Sequence, residues 1–283
     1  MRKKFNKKER YFNGIAVVHL DGAIMPKIPR RPSMGSITPK EIIDDLELAR
    51  NDKYIKAVLL SINSPGGSPV ASEEIADEVK YLREEKPVVG LFRDLGASGG
   101  YLVASACNEL VAQKTSIVGS IGVLFGKNTY HELMRNLGVG HETFKAGKYK
   151  DLLSPHRDIT DEERALVQKM INTSYDHFID IVSRNRNLEE EAVREMATGW
   201  IFLGEEAKEK GLIDYIGNKQ TAVERCEALG NFEHDKIVEK PDKSKGLLGR
   251  LMSPSTMSEV AYAHGQGIAD TLTGKAEDRY ILF

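Results

Sequence analysis

The sequence predicts an α/β fold with a helical second half. Short apolar runs alternate with amphipathic stretches from Gly14 onward, paired glycines stand where two of those runs pass into helical patterns, and from Lys145 helical patterns dominate. Residues 15–20 form the first predicted strand. Thr38-Pro39-Lys40-Glu41 then sets a capping Thr, a Pro at the first helical position and a Glu three residues after the cap, ahead of the periodic Ile42, Ile43, Leu46 and Leu48. A helix starts there. Residues 55–62 form a second strand running into Asn63-Ser64-Pro65-Gly66-Gly67-Ser68, and residues 70–84 read as the helix that follows. Residues 88–92 form a third strand, which leads through Gly96-Ala97-Ser98-Gly99-Gly100 into an Ala/Leu/Val-rich helix to about Cys107.

Short strands are predicted at 110–112, 118–125 and 142–144, with a short helix at 130–137 between the last two. A long amphipathic helix covers 160–185, opened by the capping box Thr160-Asp161-Glu162-Glu163, and another covers 188–196. The segment 199–217 holds the single Trp and a short helix that stops at Gly211. Residues 1–13 read as a basic tail, 14–239 as one domain, and 240–283 as a linker beginning Lys-Pro-Asp-Lys-Ser-Lys-Gly followed by a peripheral tail.

The 283 residues carry 40 Lys and Arg against 42 Asp and Glu, a net charge of −2, with 41% hydrophobic residues. That balance fits an ordinary globular protein and disfavours a nucleic-acid binder. Cys107 and Cys226 lack CxxC spacing, so neither a disulfide framework nor a zinc site is expected, and a reducing compartment fits best. No uncharged apolar run reaches the roughly 18 residues a membrane helix needs. The apolar run after Arg2, Lys3, Lys4, Lys7, Lys8 and Arg10 is too short for a signal peptide. The expected location is cytoplasmic, with the basic end either solvated or drawn to an anionic membrane surface.

Gly96-Ala97-Ser98-Gly99-Gly100 fits G-x-S-x-G between a strand and a helix, the context in which a sharp turn presents a nucleophile; a plain helix N-cap is the competing reading of Ser98. Ser64-Pro65-Gly66-Gly67 is a second glycine turn at a strand's carboxyl end, where backbone N–H groups can approach an anion. Together the turns favour a serine hydrolase. A serine hydroxyl needs a base. Among the histidines, His19, His131, His141, His156, His177, His234 and His264, none lies in a distinctive turn, whereas Lys145, Lys148 and Lys150 cluster in a segment where an ordered lysine is plausible. Two residues apart in an extended segment share a face, so Lys148 and Lys150 both stand as candidates.

Ser-Pro-Gly-Gly at 64–67, Ala-Ser-Gly-Gly-Tyr at 97–101, Val-Gly-Ser-Ile-Gly-Val at 118–123, Gly-Lys-Tyr-Lys-Asp at 147–151 and Gly-Leu-Ile-Asp-Tyr-Ile-Gly at 211–217 resemble, in this order, the motifs of the signal peptide peptidase A family, peptidase family S49. The resemblance implies a ClpP/crotonase-like fold of repeated ββα units and a Ser/Lys dyad acting on extended or unfolded peptides such as signal peptide remnants. By the resemblance Ser98 is the nucleophile, Lys150 the general base, Ser120 the residue that orients the lysine, and Gly67 and Gly99 the oxyanion donors. The single copy of the motifs resembles the short form of the family, which implies a homo-oligomer with the dyad shared between subunits. Membrane-anchored members begin with a transmembrane segment for which this sequence has no counterpart; other relatives are soluble or process phage capsid proteins.

No cofactor or metal is expected, since neither HExxH nor GxxxxGK[ST] occurs. Competing expectations are an α/β-hydrolase esterase using Ser98, Asp214 and His234, and a non-catalytic scaffold. A ClpP-type histidine base is disfavoured because Gly122 and Val123 occupy the expected position, and a crotonase-type acyl-CoA enzyme would have little need for Ser98.

Overall fold

The computed structural model describes residues 13–26 and 35–239. The basic stretch expected at 1–13 and the linker and tail expected from 240 lie outside the described residues, apart from Asn13. The chain runs β1 (Gly14–Asp21), β2 (Ala23–Ile24), β3 (Ser36–Ile37), α1 (Pro39–Asn51), β4 (Ile55–Ser64), α2 (Pro69–Glu85), β5 (Val88–Ala97), α3 (Gly99–Ser105), β6 (Glu109–Ala112) and β7 (Ile117–Gly119). It continues through α4 (His131–Asn136), α5 (Asp161–Arg186), α6 (Glu190–Met196), β8 (Ile201–Leu203), α7 (Gly204–Glu209), β9 (Tyr215–Ile216), α8 (Lys219–Gly230) and β10 (Lys236–Glu239). The class is mixed α/β, as expected.

One sheet organises these elements, with β10-β1-β4-β5-β6-β9 side by side and every adjacent pair parallel. Parallel neighbours require crossovers, and parallel sheets are covered on both faces. One face packs on α1, α2 and α3, burying Val18, Leu20, Val58, Leu60, Ile62 and Phe92. The other packs on α8, where Ile15, Ala57, Leu59 and Val89 meet Ala222, Val223 and Cys226. Runs such as 57–60 are buried at every residue because both faces are covered there, so strict alternation is lost.

The long strand β5 has two successive neighbours on one side. Val89–Phe92 pairs with β6, and after Arg93 and Asp94 the strand resumes as Leu95–Ala97 against β7. Ser116 Oγ donates to the Arg93 carbonyl at 2.6 Å and fastens the change of partner. That change is what carries residue 98 clear of the sheet's middle. Strand β8 closes this end by pairing antiparallel to β7.

Both predicted capping boxes form. The Thr38 N–H donates to the Glu41 carboxylate at 3.0 Å, while Thr160 Oγ1 and the Glu163 carboxylate exchange bonds with each other's backbone N–H groups at 3.2 and 3.0 Å. Two strand expectations need correction. The strand expected at 118–125 ends at Gly119, because Ser120 takes φ 51° and turns the chain out of the ladder. No strand forms at 142–144: that stretch is wholly exposed, with no neighbouring strand to supply a ladder, and Phe144 is 86% exposed.

No helix among the described residues is long and apolar enough to cross a membrane. Cys107 and Cys226 belong to the cores on opposite faces of the sheet, and burial pushes both thiols up to about 12. Neither is a thiolate nucleophile at neutral pH.

Candidate active site

Ser98 stands between the last residue of β5 and the first of α3, with φ 53° and ψ −125°. A non-glycine residue rarely adopts positive φ, and holding one there costs about 1–3 kcal/mol that the surroundings must overcome. Several contacts supply that restraint. The Ser98 N–H donates to the Gly119 carbonyl at 2.8 Å, and its carbonyl accepts from the Leu102 N–H at 3.0 Å in the first turn of α3. Its side chain is buried, at 5% exposure for the residue, and Oγ has no hydrogen-bond partner among the described residues. As an ordinary N-cap, the hydroxyl would accept a bond from the first turn of the helix, and it does not.

The Ser64–Gly67 turn lies directly against this residue. Gly66 takes φ +94°, and a Cβ there would stand 2.5 Å from the Gly99 nitrogen and 2.9 Å from Ser98 Cβ. A Cβ at Gly99 would likewise stand 3.3 Å from the Gly67 nitrogen and 2.3 Å from Ser72 Oγ. Only bare glycine backbone permits this approach. On the far side of the turn the Gly66 carbonyl accepts from the Ile24 N–H, and the Ser68 N–H donates to the Ile24 carbonyl, both at 2.8 Å. The Gly67 and Gly99 N–H groups, by contrast, donate to no other described residue. Two free donors therefore lie beside one unpartnered hydroxyl, the composition an oxyanion site requires.

Positioning residues that the sequence reading did not single out now become visible. Ser64 Oγ donates to the Gly22 carbonyl at 2.7 Å and accepts from the Gly66 N–H at 3.1 Å, fixing the glycine turn from within. Ser72 is fully buried, donates to the Ser68 carbonyl at 2.9 Å, and packs where Gly99 has no side chain. Their signal in sequence is only a small polar residue beside glycine, which any turn shares.

Ser120 follows β7 as Ser98 follows β5, and the pairing of Ala97 with Gly119 puts the two serines at neighbouring strand ends. It is half-buried, with its N–H donating to the Trp200 carbonyl at 2.8 Å. Ser98, Gly67, Gly99 and Ser120 thus come together. Lys150 does not join them within the chain: it is exposed, and its Nζ has no partner among the described residues. It lies on the excursion between Ser120 and α5, whose two limbs are tied by Lys127 Nζ donating to the Ser154 carbonyl and by the Tyr130 N–H donating to the Pro155 carbonyl, both at 2.8 Å.

The neighbouring lysines are already engaged. Lys148 Nζ donates to Glu162 at 2.7 Å, and that hydrogen bond holds its pKa above the ordinary lysine value, the wrong direction for a base. Lys145 pairs with Asp151. Arg157 binds both Asp151 and Glu163, at 2.8 and 2.6 Å, and so pins the turn that bears Lys150 to the start of α5.

The esterase triad is not assembled. Asp214 is held by Arg186 at 2.7 Å and accepts from the Leu110 N–H, whereas His234 Nδ1 sits 2.7 Å from Glu227. His234 lies just before β10, whose first residue pairs with Gly14 at the amino end of β1; Ser98 follows the carboxyl end of β5. Eight residues of β1 at 3.3 Å each separate those ends of the sheet by about 25 Å.

Comparison with known proteins places the chain in a group. The family model of peptidase family S49 matches residues 80–233. The Methanocaldococcus jannaschii protein named "Putative protease MJ0651" is 42% identical over 234 residues, covering 82% of this chain and 72% of that protein. The Arabidopsis thaliana protein named "Serine protease SPPA, chloroplastic" is 33% identical over 270 residues, 93% of this chain and 39% of its own length. "Protease 4" of Haemophilus influenzae is 34% identical over 254 residues, 85% of this chain and 40% of its own length. The chain spans about two fifths of these last two relatives.

Proposed function

The chain belongs to peptidase family S49, and we accordingly propose that it is a serine endopeptidase in which Ser98 attacks the scissile carbonyl and Lys150 of a neighbouring subunit is the base. The observation that carries the reading is the buried, unpartnered Ser98 Oγ on a strained turn, with the free N–H groups of Gly67 and Gly99 beside it. Strain and an unmade hydrogen bond in one side chain are costs that a purely structural serine would not carry.

In the proposed reaction Ser98 Oγ adds to the peptide carbonyl as its proton passes to the neutral lysine amine. The oxyanion is held by the Gly67 and Gly99 N–H groups, the lysine returns the proton to the leaving amine, and water then releases the acyl group by the reverse sequence. Ser120 is the positioning residue, its hydroxyl orienting the lysine. Substrate enters extended and unfolded, as a signal peptide remnant would, pairing its backbone with exposed strand edges.

Sharing of the dyad is supported by two features of the excursion that carries Lys150. The lysine has no partner among the described residues, and Leu124, Leu133, Leu137, Val139 and Phe144 on the same excursion are exposed apolar side chains that a second copy would cover. Mixing tests this directly. Ser98→Ala and Lys150→Ala chains are each expected to be inactive, and co-refolded one to one they should recover about a quarter of wild-type peptidase activity if each site takes one residue from each of two neighbours. No recovery, from variants shown to co-assemble, overturns sharing; an active Ser98→Ala or Lys150→Ala chain overturns the dyad.

A further inference from the structure

The α8 face of the sheet changes character along its strands. Ile15 and Val17 give way to His19, Ala57 and Leu59 to Ser61, Val89 and Leu91 to Arg93, and Val111 to Gln113. The apolar halves lie toward α8, and the polar halves border a cavity of about 510 Å3 that also reaches Lys219 at the start of α8 and Glu239 at the end of β10. That volume falls in the range of small-molecule sites, about 300–1,000 Å3.

Two side chains turn polar groups into this cavity that no described residue binds. Ser61 is 3% exposed, yet its Oγ makes no hydrogen bond with any described residue. Arg93 is exposed and has no carboxylate within salt-bridge distance among the described residues; the Glu239 carboxylate, paired with Lys219, feels both cations, so Arg93 and Lys219 share one described carboxylate in this cavity. Ser61 pairs with Leu91, Arg93 follows two residues on where the β4–β5 register shifts, and both border the same cavity. A hydroxyl donor and two cations that share the single carboxylate of Glu239, above a floor of Val17, Leu59 and Leu91, leave room for one kind of ligand, a single negative charge on an apolar body.

We propose that this cavity binds a small amphiphilic monocarboxylate, its carboxylate on Arg93 and Ser61 and its apolar body against Val17, Leu59 and Leu91. The carboxylate of an amino acid or peptide and that of a fatty acid share this chemistry. The site is separate from the Ser98 turn and does not depend on the peptidase reading.

Isothermal titration of the assembled full chain tests it, with N-acetyl-leucine, octanoate, N-acetyl-leucinamide and inorganic phosphate as probes. Saturable binding of one carboxylate per chain is expected, at least about tenfold weaker for the amide and for Arg93→Gln, weakened in Ser61→Ala, and unchanged in Ser98→Ala. Arg93→Gln should leave peptide hydrolysis at the wild-type rate. Tighter binding of either octanoate or N-acetyl-leucine supports the proposal and names the source of the ligand. The proposal fails if neither carboxylate binds, if the amide or phosphate binds as well, if folded Arg93→Gln keeps full affinity, or if Ser98→Ala abolishes binding and so places the ligand at the other site.

Discussion

The backbone N–H of Ser98 and the carbonyl of Gly119 meet at 2.8 Å, and this bond joins the turns that end β5 and β7. Both following residues, Ser98 and Ser120, take positive φ, 53° and 51°. A paired strand end thereby holds two strained serines side by side, and the glycine turn at 66–67, which follows β4, closes against Ser98.

Gly66→Ala should be inactive while still folded. The new Cβ would sit 2.5 Å from the Gly99 nitrogen at a φ of +94°, so the turn must retreat from Ser98 and at least one oxyanion donor leaves its place. Loss of one such donor lowers kcat about 100- to 1,000-fold. Steady-state kinetics alongside a thermal melt measure both; wild-type kcat in a folded variant would remove the glycine turn from the mechanism.

Activity should climb with pH through the neutral range. A lysine base works only as the free amine, and an unperturbed lysine, near pKa 10.4, is almost wholly protonated at pH 7. The limb should survive in His234→Ala. A kcat/KM optimum below pH 6 would require a different base.

Acid should release the Lys150 turn before it unfolds the domain. The hydrogen bonds from Arg157 and Lys145 hold the Asp151 carboxyl well below its ordinary range, and Arg157 holds Glu163 down to about 2. Carboxyls depressed in the folded state bind fewer protons there than in the unfolded chain, so their stabilisation is complete above about pH 5 and is lost as pH falls toward 2. Hydrogen exchange across residues 147–163 at pH 6 and pH 3 should show protection falling there while β4 and β5 stay protected. Uniform loss across the chain would contradict a local release.

Tyr101→Phe should cost stability without touching the chemistry. The ring is fully buried and stacked on Phe92 at 6.2 Å, and its hydroxyl donates to the Leu212 carbonyl at 2.9 Å, tying α3 to the segment after α7. Removing that donor leaves a carbonyl of a buried residue without it, at a cost of about 1–3 kcal/mol. Urea denaturation reads the loss, and an unchanged midpoint would show that the bond contributes nothing net.

Features set by neighbours in the chain were legible from residue order. The capping boxes at Thr38 and Thr160 and the Pro at the head of α1 depend on contacts within a few residues, and the structure forms each of them, while the glycines at 66–67 and 99–100 mark a turn and a helix start that residue order alone locates. The S49 resemblance, carried by short local motifs, agrees with the family match. Residues 142–144 show where such reasoning stops. Their pattern suits a strand, but a ladder needs a partner, and no described strand pairs with them.

Tertiary structure settled what depends on groups far apart in sequence. Lys148 and Lys150 are equivalent as residues, but the Glu162 carboxylate, brought alongside by the turn into α5, engages Lys148, whereas Lys150 Nζ has no partner among the described residues. Asp214 and His234 stand in the right order for a triad, yet Arg186 and Glu227 hold them apart from each other and from Ser98. The monocarboxylate cavity draws on β1, β4, β5, β6, α8 and β10. Backbone turn preferences are local energies and so appear in residue order, whereas charge pairing and cavity shape are fixed by which strands become neighbours, and that follows from packing the whole sheet.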